Sequence, residues 1–376
     1  MKKVFLAVND LVTIQNFRLE LIQEIKNRGF DVTIICPATS DFMDSRTIKY
    51  FIDSNNITLE HIAFDRLGLN PVGMIYYLYN FYKILKKHNP EHLLLYTPKV
   101  VIFGSFAGHL AGIKNIASTI TGLGYVFASN SLKAKILRIF LKPLYALSLF
   151  LNNNIFFQNK DDRNYFQQNG IVIESRASLI GGSGVNLQKF YPQPKPGGDF
   201  TFLMVARVIP EKGVFDYIEA AKIVRNSFPQ CRIQLLGPLE KKSPIITNDM
   251  MKAWVENGLI EYIKPQSDVR PYLRRADVFV LPSYREGTPK SALEAMAMAK
   301  PIIVTDVPGC REVIENDVNG IIVPPRDPEA LSLAMIKFLN DKIFLYSAGE
   351  KSLIKAVNNF DVVKINTFFL DKINII

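Results

Sequence analysis

Acidic residues are missing from a long stretch of this chain. From His92 to Gln158 there is no Asp or Glu, while Lys99, Lys114, Lys133, Lys135, Arg138 and Lys142 all fall inside it. A face of that kind suits an anionic membrane, a phosphorylated ligand or nucleic acid, and its plainest use is solubility. Cysteine is scarce: Cys36, Cys231 and Cys310 form no C-x-x-C pair and are odd in number. That excludes a disulfide framework and suits a reducing cytoplasm. The four histidines, His61, His88, His92 and His109, have no metal-ligand spacing, and no Asp-x-Asp occurs, so no metal site is expected. No basic motif is interleaved with aromatics, which speaks against nucleic acid.

Long apolar runs are also lacking. Residues 93–113 are broken by Pro98, Lys99 and His109, and residues 136–151 by Arg138, Lys142 and Pro143. Neither reaches the length and purity of a membrane span. The second reads equally as an interfacial helix, cations up and Leu, Ile and Phe down, or as a core helix with exposed lysines. Met1-Lys2-Lys3 runs directly into VFLAV, too short and strand-like for a signal peptide.

What is present is alternation. The chain has 376 residues, 48% of them hydrophobic, enough for two cores. VFLAV (4–8), a helical pattern over 14–28 carrying Phe17, Leu21 and Ile25, and VTIIC (32–36) read as strand, helix and parallel strand. Further strands are expected at 57–64, 92–97, 116–121, 155–158 and 178–181. YPQPKPGGD (191–199) is linker chemistry. A second series then starts at FTFLMVAR (200–207) and continues at 232–236, 260–263, 277–282, 301–305 and 320–323. The expected fold is α/β, two tandem Rossmann-like domains, with ligands at the carboxyl ends of the strands.

Three segments just after strands carry chemistry. VARVIPEKG (205–213) puts Arg207 at a strand end and Lys212 before a helix, positioned to converge on one anion or to stand apart as solvated cations. EGTPKSALEAMA (286–297) puts Glu286 in a loop and Glu294 in the following helix. Amides near Gly287, Thr288, Lys290 and Ser291 could hold a phosphate, with both carboxylates accepting from hydroxyls. The bland reading is a helix-start acid and a solvated one. ITGLGYVF (120–127) places Gly122 and Gly124 where backbone can approach a ligand, or simply turn.

Together with ADVFVLPS (276–283) and GVNLQKFYP (184–192), these motifs make nearly the whole chain resemble the retaining glycosyltransferases of family 4. The resemblance implies the GT-B architecture, two Rossmann-like domains facing across a cleft, with the C-terminal helix crossing back to the first domain. It implies residues 1–185 with 358–376 as the acceptor-binding domain and 186–357 as the nucleotide-sugar domain. Arg207 and Lys212 would bind the donor diphosphate, and Glu286 the transferred sugar; these three would carry catalysis. Glu294 would bind the ribose, the base would lie near the 263–268 loop, IKPQSD, which holds Ile263 and Lys264, and Gly237 would also bind the donor. The segment 120–127 resembles that of enzymes extending polyprenyl-diphosphate-linked sugars. An acceptor site at Asn16, Arg18, Thr121, Gly122 and Gly124 is implied. The expected partners are a UDP-sugar, an undecaprenyl-diphosphate-linked saccharide and an anionic membrane surface reached by Lys133, Lys135, Arg138 and Lys142. No cofactor or metal is expected, and the location implied is the inner face of the cytoplasmic membrane. The family's glycine-rich loop after the first strand is replaced here by VNDLVTIQNFR (8–18). Two other readings stay open: a nucleotide-sugar epimerase of the same architecture, and a non-catalytic membrane-bound sensor of sugar nucleotides.

Overall fold

The computed structural model describes residues 2–40, 45–63, 70–123, 132–240 and 245–376, with backbone alone at 45 and 133–136. The chain divides into two compact units, Met1–Ser183 with Lys364–Ile376, and Gly184–Val363.

The first unit is built on a parallel sheet in the order β3-β2-β1-β4-β5-β6-β7. Its strands are β1 (Lys3–Ala7), β2 (Asp31–Cys36), β3 (Thr58–His61), β4 (His92–Tyr96), β5 (Asn115–Ile120), β6 (Asn154–Phe157) and β7 (Ala177–Leu179). The central strands are apolar runs because helices cover both faces; β4, HLLLY, is buried along its whole length. Tyr77, Phe81, Val101 and Tyr145 pack on one face, and Leu11, Ile14, Leu21 and Ile25 on the other. The second unit carries the order β10-β9-β8-β11-β12-β13. Its strands are β8 (Thr201–Val205), β9 (Arg232–Leu236), β10 (Glu261–Ile263), β11 (Val278–Leu281), β12 (Ile302–Thr305) and β13 (Gly320–Val323). In both sheets the chain reverses its direction of travel beside the first strand, between β1 and β4 and between β8 and β11. A doubly wound sheet opens its ligand crevice at that switch point.

One expectation fails. The spacing of Phe17, Leu21 and Ile25 predicts a single helix over 14–28, but two are present, Leu11–Phe17 and Leu19–Asn27. Asp10 caps the first by accepting from the Val12 amide at 3.0 Å, and the chain leaves helical geometry at Arg18 (φ −133°). The break turns the buried face, so Leu11 and Ile14 take the core and Phe17 is 38% exposed. At the far end of the chain, the helix Val362–Lys372 belongs to the first unit from Lys364 onward. Its Phe369 ring lies 4.4 Å from that of Phe156, and Arg28 donates to the Ile375 carbonyl at 2.6 Å.

A buried polar knot ties the first unit together. Asn152 accepts from the Ser118 hydroxyl at 2.7 Å, and donates to Ser105 Oγ and to the Ser148 carbonyl, each at 2.8 Å. Asn152→Ala strands these groups away from water, at a cost of about 1–3 kcal/mol. Urea unfolding should show the first unit's transition at lower denaturant; an unchanged midpoint would mean the knot contributes nothing.

Candidate functional site

Two of the sequence motifs, VARVIPEKG and EGTPKSALEAMA, meet at the second sheet's switch point. After β8 the chain makes a single 3-10 turn, Pro210–Lys212, and reaches Gly213 at φ +71° before the helix Val214–Ser227. A Cβ at Gly213 would collide with the backbone carbonyl of Pro282, which follows β11. Only glycine lets the two loops lie this close. The Tyr284 amide donates to the Glu211 carbonyl at 2.9 Å and joins them further.

This close approach sets Lys212 beside Glu286. The Lys212 ammonium donates to Glu286 Oε1, which also accepts from the Ser283 hydroxyl at 2.7 Å. Both side chains are largely covered, Lys212 at 20% exposed and Glu286 at 11%. The Glu286 amide donates to the Pro308 carbonyl at 3.1 Å, and the Thr305 hydroxyl to the Ser283 carbonyl, so the ends of β11 and β12 both hold the loop. Beneath it the Cys310 thiol is pushed well up, first by burial and then by the Glu286 charge. That keeps it protonated and inert as a nucleophile.

The remaining predicted donor residues leave the same carboxyl edge. Arg207 is half-buried two residues past β8. Gly237 follows β9 at φ +153°, where a Cβ would meet the Ala206 carbonyl, and its amide donates to the Ile263 carbonyl at 3.1 Å. Lys264 is exposed just past β10. Gly287 and Thr288 lie half-buried in the loop after β11; Lys290, Ser291 and Glu294 lie half-buried on the helix Lys290–Ala297. Pro289 precedes that helix and its own side chain makes no cap hydrogen bond. Such an edge offers cations and helix-start amides to a diphosphate, and carboxylates to sugar hydroxyls.

In the first unit, Asn16 is exposed, Arg18 is buried, and Thr121 and Gly122 are half-buried just after β5. Gly124 lies outside the described residues. So do the side chains of Lys133 and Lys135. Arg138 is half-buried on the helix Leu132–Phe150, and Lys142 donates to Asn169 at 3.2 Å. No described helix is long and apolar enough to cross a membrane. Among the described residues no His, Cys, Asp or Glu cluster could hold a metal ion.

Sequence reading missed the supports. Asp216 accepts from the Tyr284 hydroxyl and from the Arg326 amide, each at 3.2 Å, and the Arg326 guanidinium stacks 4.8 Å from the Tyr284 ring centre. Burial raises the Asp216 carboxyl pKa, and the hydrogen bonds from Tyr284 and Arg326 pull it partly back. The one hint was an acid in the buried first turn of a helix; its partners lie 68 and 110 residues away.

Comparison with known proteins agrees across both units. The family model described as "Glycosyl transferases group 1" matches residues 187–355, and that described as "Glycosyl transferase 4-like" matches residues 4–159. The N,N'-diacetylbacillosaminyl-diphospho-undecaprenol alpha-1,3-N-acetylgalactosaminyltransferase of Campylobacter jejuni is 28% identical over 88% of this chain and 87% of its own length. The UDP-Gal:alpha-D-GlcNAc-diphosphoundecaprenol alpha-1,3-galactosyltransferase of Escherichia coli is 26% identical over 93% and 90%. Among solved structures, Anabaena HepE in complex with UDP superposes with a TM-score of 0.79 at 15% identity, covering 100% of both chains.

Gly213→Ala should destabilise the second unit by more than the roughly 1 kcal/mol typical of an unstrained backbone change. Gly258, at φ +66° with open space around a Cβ, is the control. Urea midpoints compare the two alanine variants; equal losses would mean the Gly213–Pro282 approach is not tight.

Proposed function

This chain belongs to the glycosyltransferases that join a group 1 domain to a 4-like domain in the GT-B fold, and on that basis we propose that it moves a hexose or N-acetylhexosamine from a UDP-sugar to an undecaprenyl-diphosphate-linked saccharide, with retention at the anomeric carbon. The product would serve surface-polysaccharide or glycoprotein glycan assembly. The observation that carries this reading is the meeting of Lys212 and Glu286 at the switch point. The undecaprenol-linked substrates in the names of the two relatives support the acceptor class.

The chemistry follows from charge. As the bond between the anomeric carbon and the donor diphosphate breaks, negative charge builds on the leaving oxygen. Lys212, Arg207 and the start of the helix Lys290–Ala297 stabilise it by fixed electrostatics. The acceptor hydroxyl bonds to the same carbon and gives its proton to the departing phosphate, so UDP leaves. Glu286, freed from Lys212 as the diphosphate takes over the ammonium, accepts from sugar hydroxyls. Glu294 takes the ribose, and the 263–268 loop the base. Asn16, Arg18, Thr121, Gly122 and Gly124 serve the acceptor.

The helix Leu132–Phe150 would rest on the inner face of the cytoplasmic membrane. Leu132, Ile139, Phe140, Leu147 and Phe150 are exposed, while Tyr145 and Leu149 pack inward. Each nearby Lys or Arg adds about 1 kcal/mol on anionic lipid.

Release of UDP from UDP-GalNAc or UDP-Gal is expected only when a lipid-diphosphate saccharide is added; release that ignores the acceptor contradicts transfer. Lys212→Ala and Glu286→Ala should each lower turnover by roughly 10²–10³-fold with unchanged circular dichroism. Near-normal rates would remove that residue from the site. EDTA should leave the rate unaltered, and a loss restored by Mg²⁺ would contradict metal-independent chemistry. Changing Lys133, Lys135, Arg138 and Lys142 to Glu should abolish sedimentation with phosphatidylglycerol vesicles; retained binding would contradict the membrane role.

A further inference from the structure

The first sheet has its own switch point, and among the described residues a cation is buried there without a counter-ion. Arg18 sits at the break after the helix that β1 leads into, and Tyr96 closes β4. Arg18 is only 5% exposed. Its guanidinium lies 4.3 Å from the centre of the Tyr96 ring, its Nη1 donates weakly to the Phe17 carbonyl at 3.3 Å, and its Nε has no partner. Among the described residues no carboxylate pairs with it. Burial alone pulls its pKa down.

The surroundings are unfinished in the same way. The buried Tyr96 hydroxyl makes no well-formed hydrogen bond, although Thr119 lies beside it. Next to Tyr96, Thr97 holds φ +74° and ψ 145°, a region left almost entirely to glycine, and its buried hydroxyl is also unpaired. Strain and unmet polar groups gathered at a ligand crevice mark a place kept for binding, not for stability. Arg18, Tyr96, Thr119, Ser183 and Asn366 line one hollow, which hydrophobic side chains complete. It measures about 10 Å³, room for a single oxygen atom or water. A water could satisfy hydrogen bonds there, but it could not neutralise a guanidinium.

We propose that Arg18 and Tyr96 form the seat of a ligand oxyanion, one oxygen of a phosphate entering the hollow, with Thr119, Ser183 and Asn366 as neutral hydrogen-bonding partners. The rest of the anion lies outside, because the hollow admits one atom. Two sources share this chemistry: the diphosphate of a lipid-linked acceptor, and free inorganic pyrophosphate. The proposal rests on the acceptor reading above only for the choice between them.

The test is the thermal midpoint of the full chain held in saturating UDP, so that the Lys212 site is occupied, with inorganic pyrophosphate or a short-chain polyprenyl diphosphate added. Wild type is expected to gain several degrees with the polyprenyl diphosphate at concentrations at least tenfold below those needed of pyrophosphate. Equal potency would assign the seat to the free anion. Arg18→Met should lose the response and, without ligand, melt no lower than wild type, because it removes an unpaired buried charge. A response that survives in Arg18→Met, or no response in wild type, overturns the proposal. If Arg18→Met melts lower, Arg18→Lys decides, since it keeps the charge: a weakened or lost response supports the seat, and an unchanged one overturns it. Binding is read without turnover. A failed seat therefore leaves sugar transfer standing, and failed transfer leaves the seat standing.

Discussion

The close approach of Gly213 to the Pro282 carbonyl sets the geometry of the second unit's candidate site. Two loops leaving neighbouring parallel strands normally diverge around the helices that follow them. Here the missing side chain lets one loop lie on the other, and the Glu211–Tyr284 backbone bond holds them together. Lys212 is thereby set within reach of Glu286, to which it donates. A cation and a carboxylate held at one crevice have, on the function proposed here, two ways to be satisfied: by each other, or by phosphate for the ammonium and hydroxyls for the carboxylate. In the resting protein they satisfy each other and Ser283. Charge paired in this way avoids the penalty of a buried, uncompensated ion.

The first unit handles charge differently. At its switch point Arg18 faces an aromatic ring and, among the described residues, no acid. Asp10, near in sequence, is used as a helix cap. The two sheets share a topology, so the contrast lies in side chains: a pair that neutralises itself in one, a lone cation in the other. The acid-free sequence between His92 and Gln158 extends the same bias outward, onto the helix Leu132–Phe150 with its exposed Leu132, Ile139 and Phe140.

Much of the fold could be read in the sequence. Buried parallel strands are short apolar runs bounded by turn residues, and VTIIC, RIQLL and GIIV show themselves directly; the strands Arg232–Leu236 and Gly320–Val323 have the expected ends. The helix break at Arg18 was hidden because apolar spacing continues through it, and only the Asp10 cap and the turned burial of Leu11 and Ile14 reveal it. In the site, the loop positions of Lys212 and Glu286 followed from strand order. Their direct hydrogen bond did not, because it depends on a glycine touching a carbonyl about 70 residues away. The Asp216–Tyr284–Arg326 support was invisible for the same reason: no local pattern encodes a long-range hydrogen bond.

The central claim is that Lys212 leaves Glu286 for a diphosphate at the second switch point. Calorimetric titration of the wild type and of Lys212→Met with UDP and with uridine tests it most directly. The account predicts that the variant binds UDP at least about tenfold more weakly, because one charge-assisted hydrogen bond to the diphosphate is removed, while uridine affinity is unchanged. Equal UDP affinity in the two proteins would contradict it.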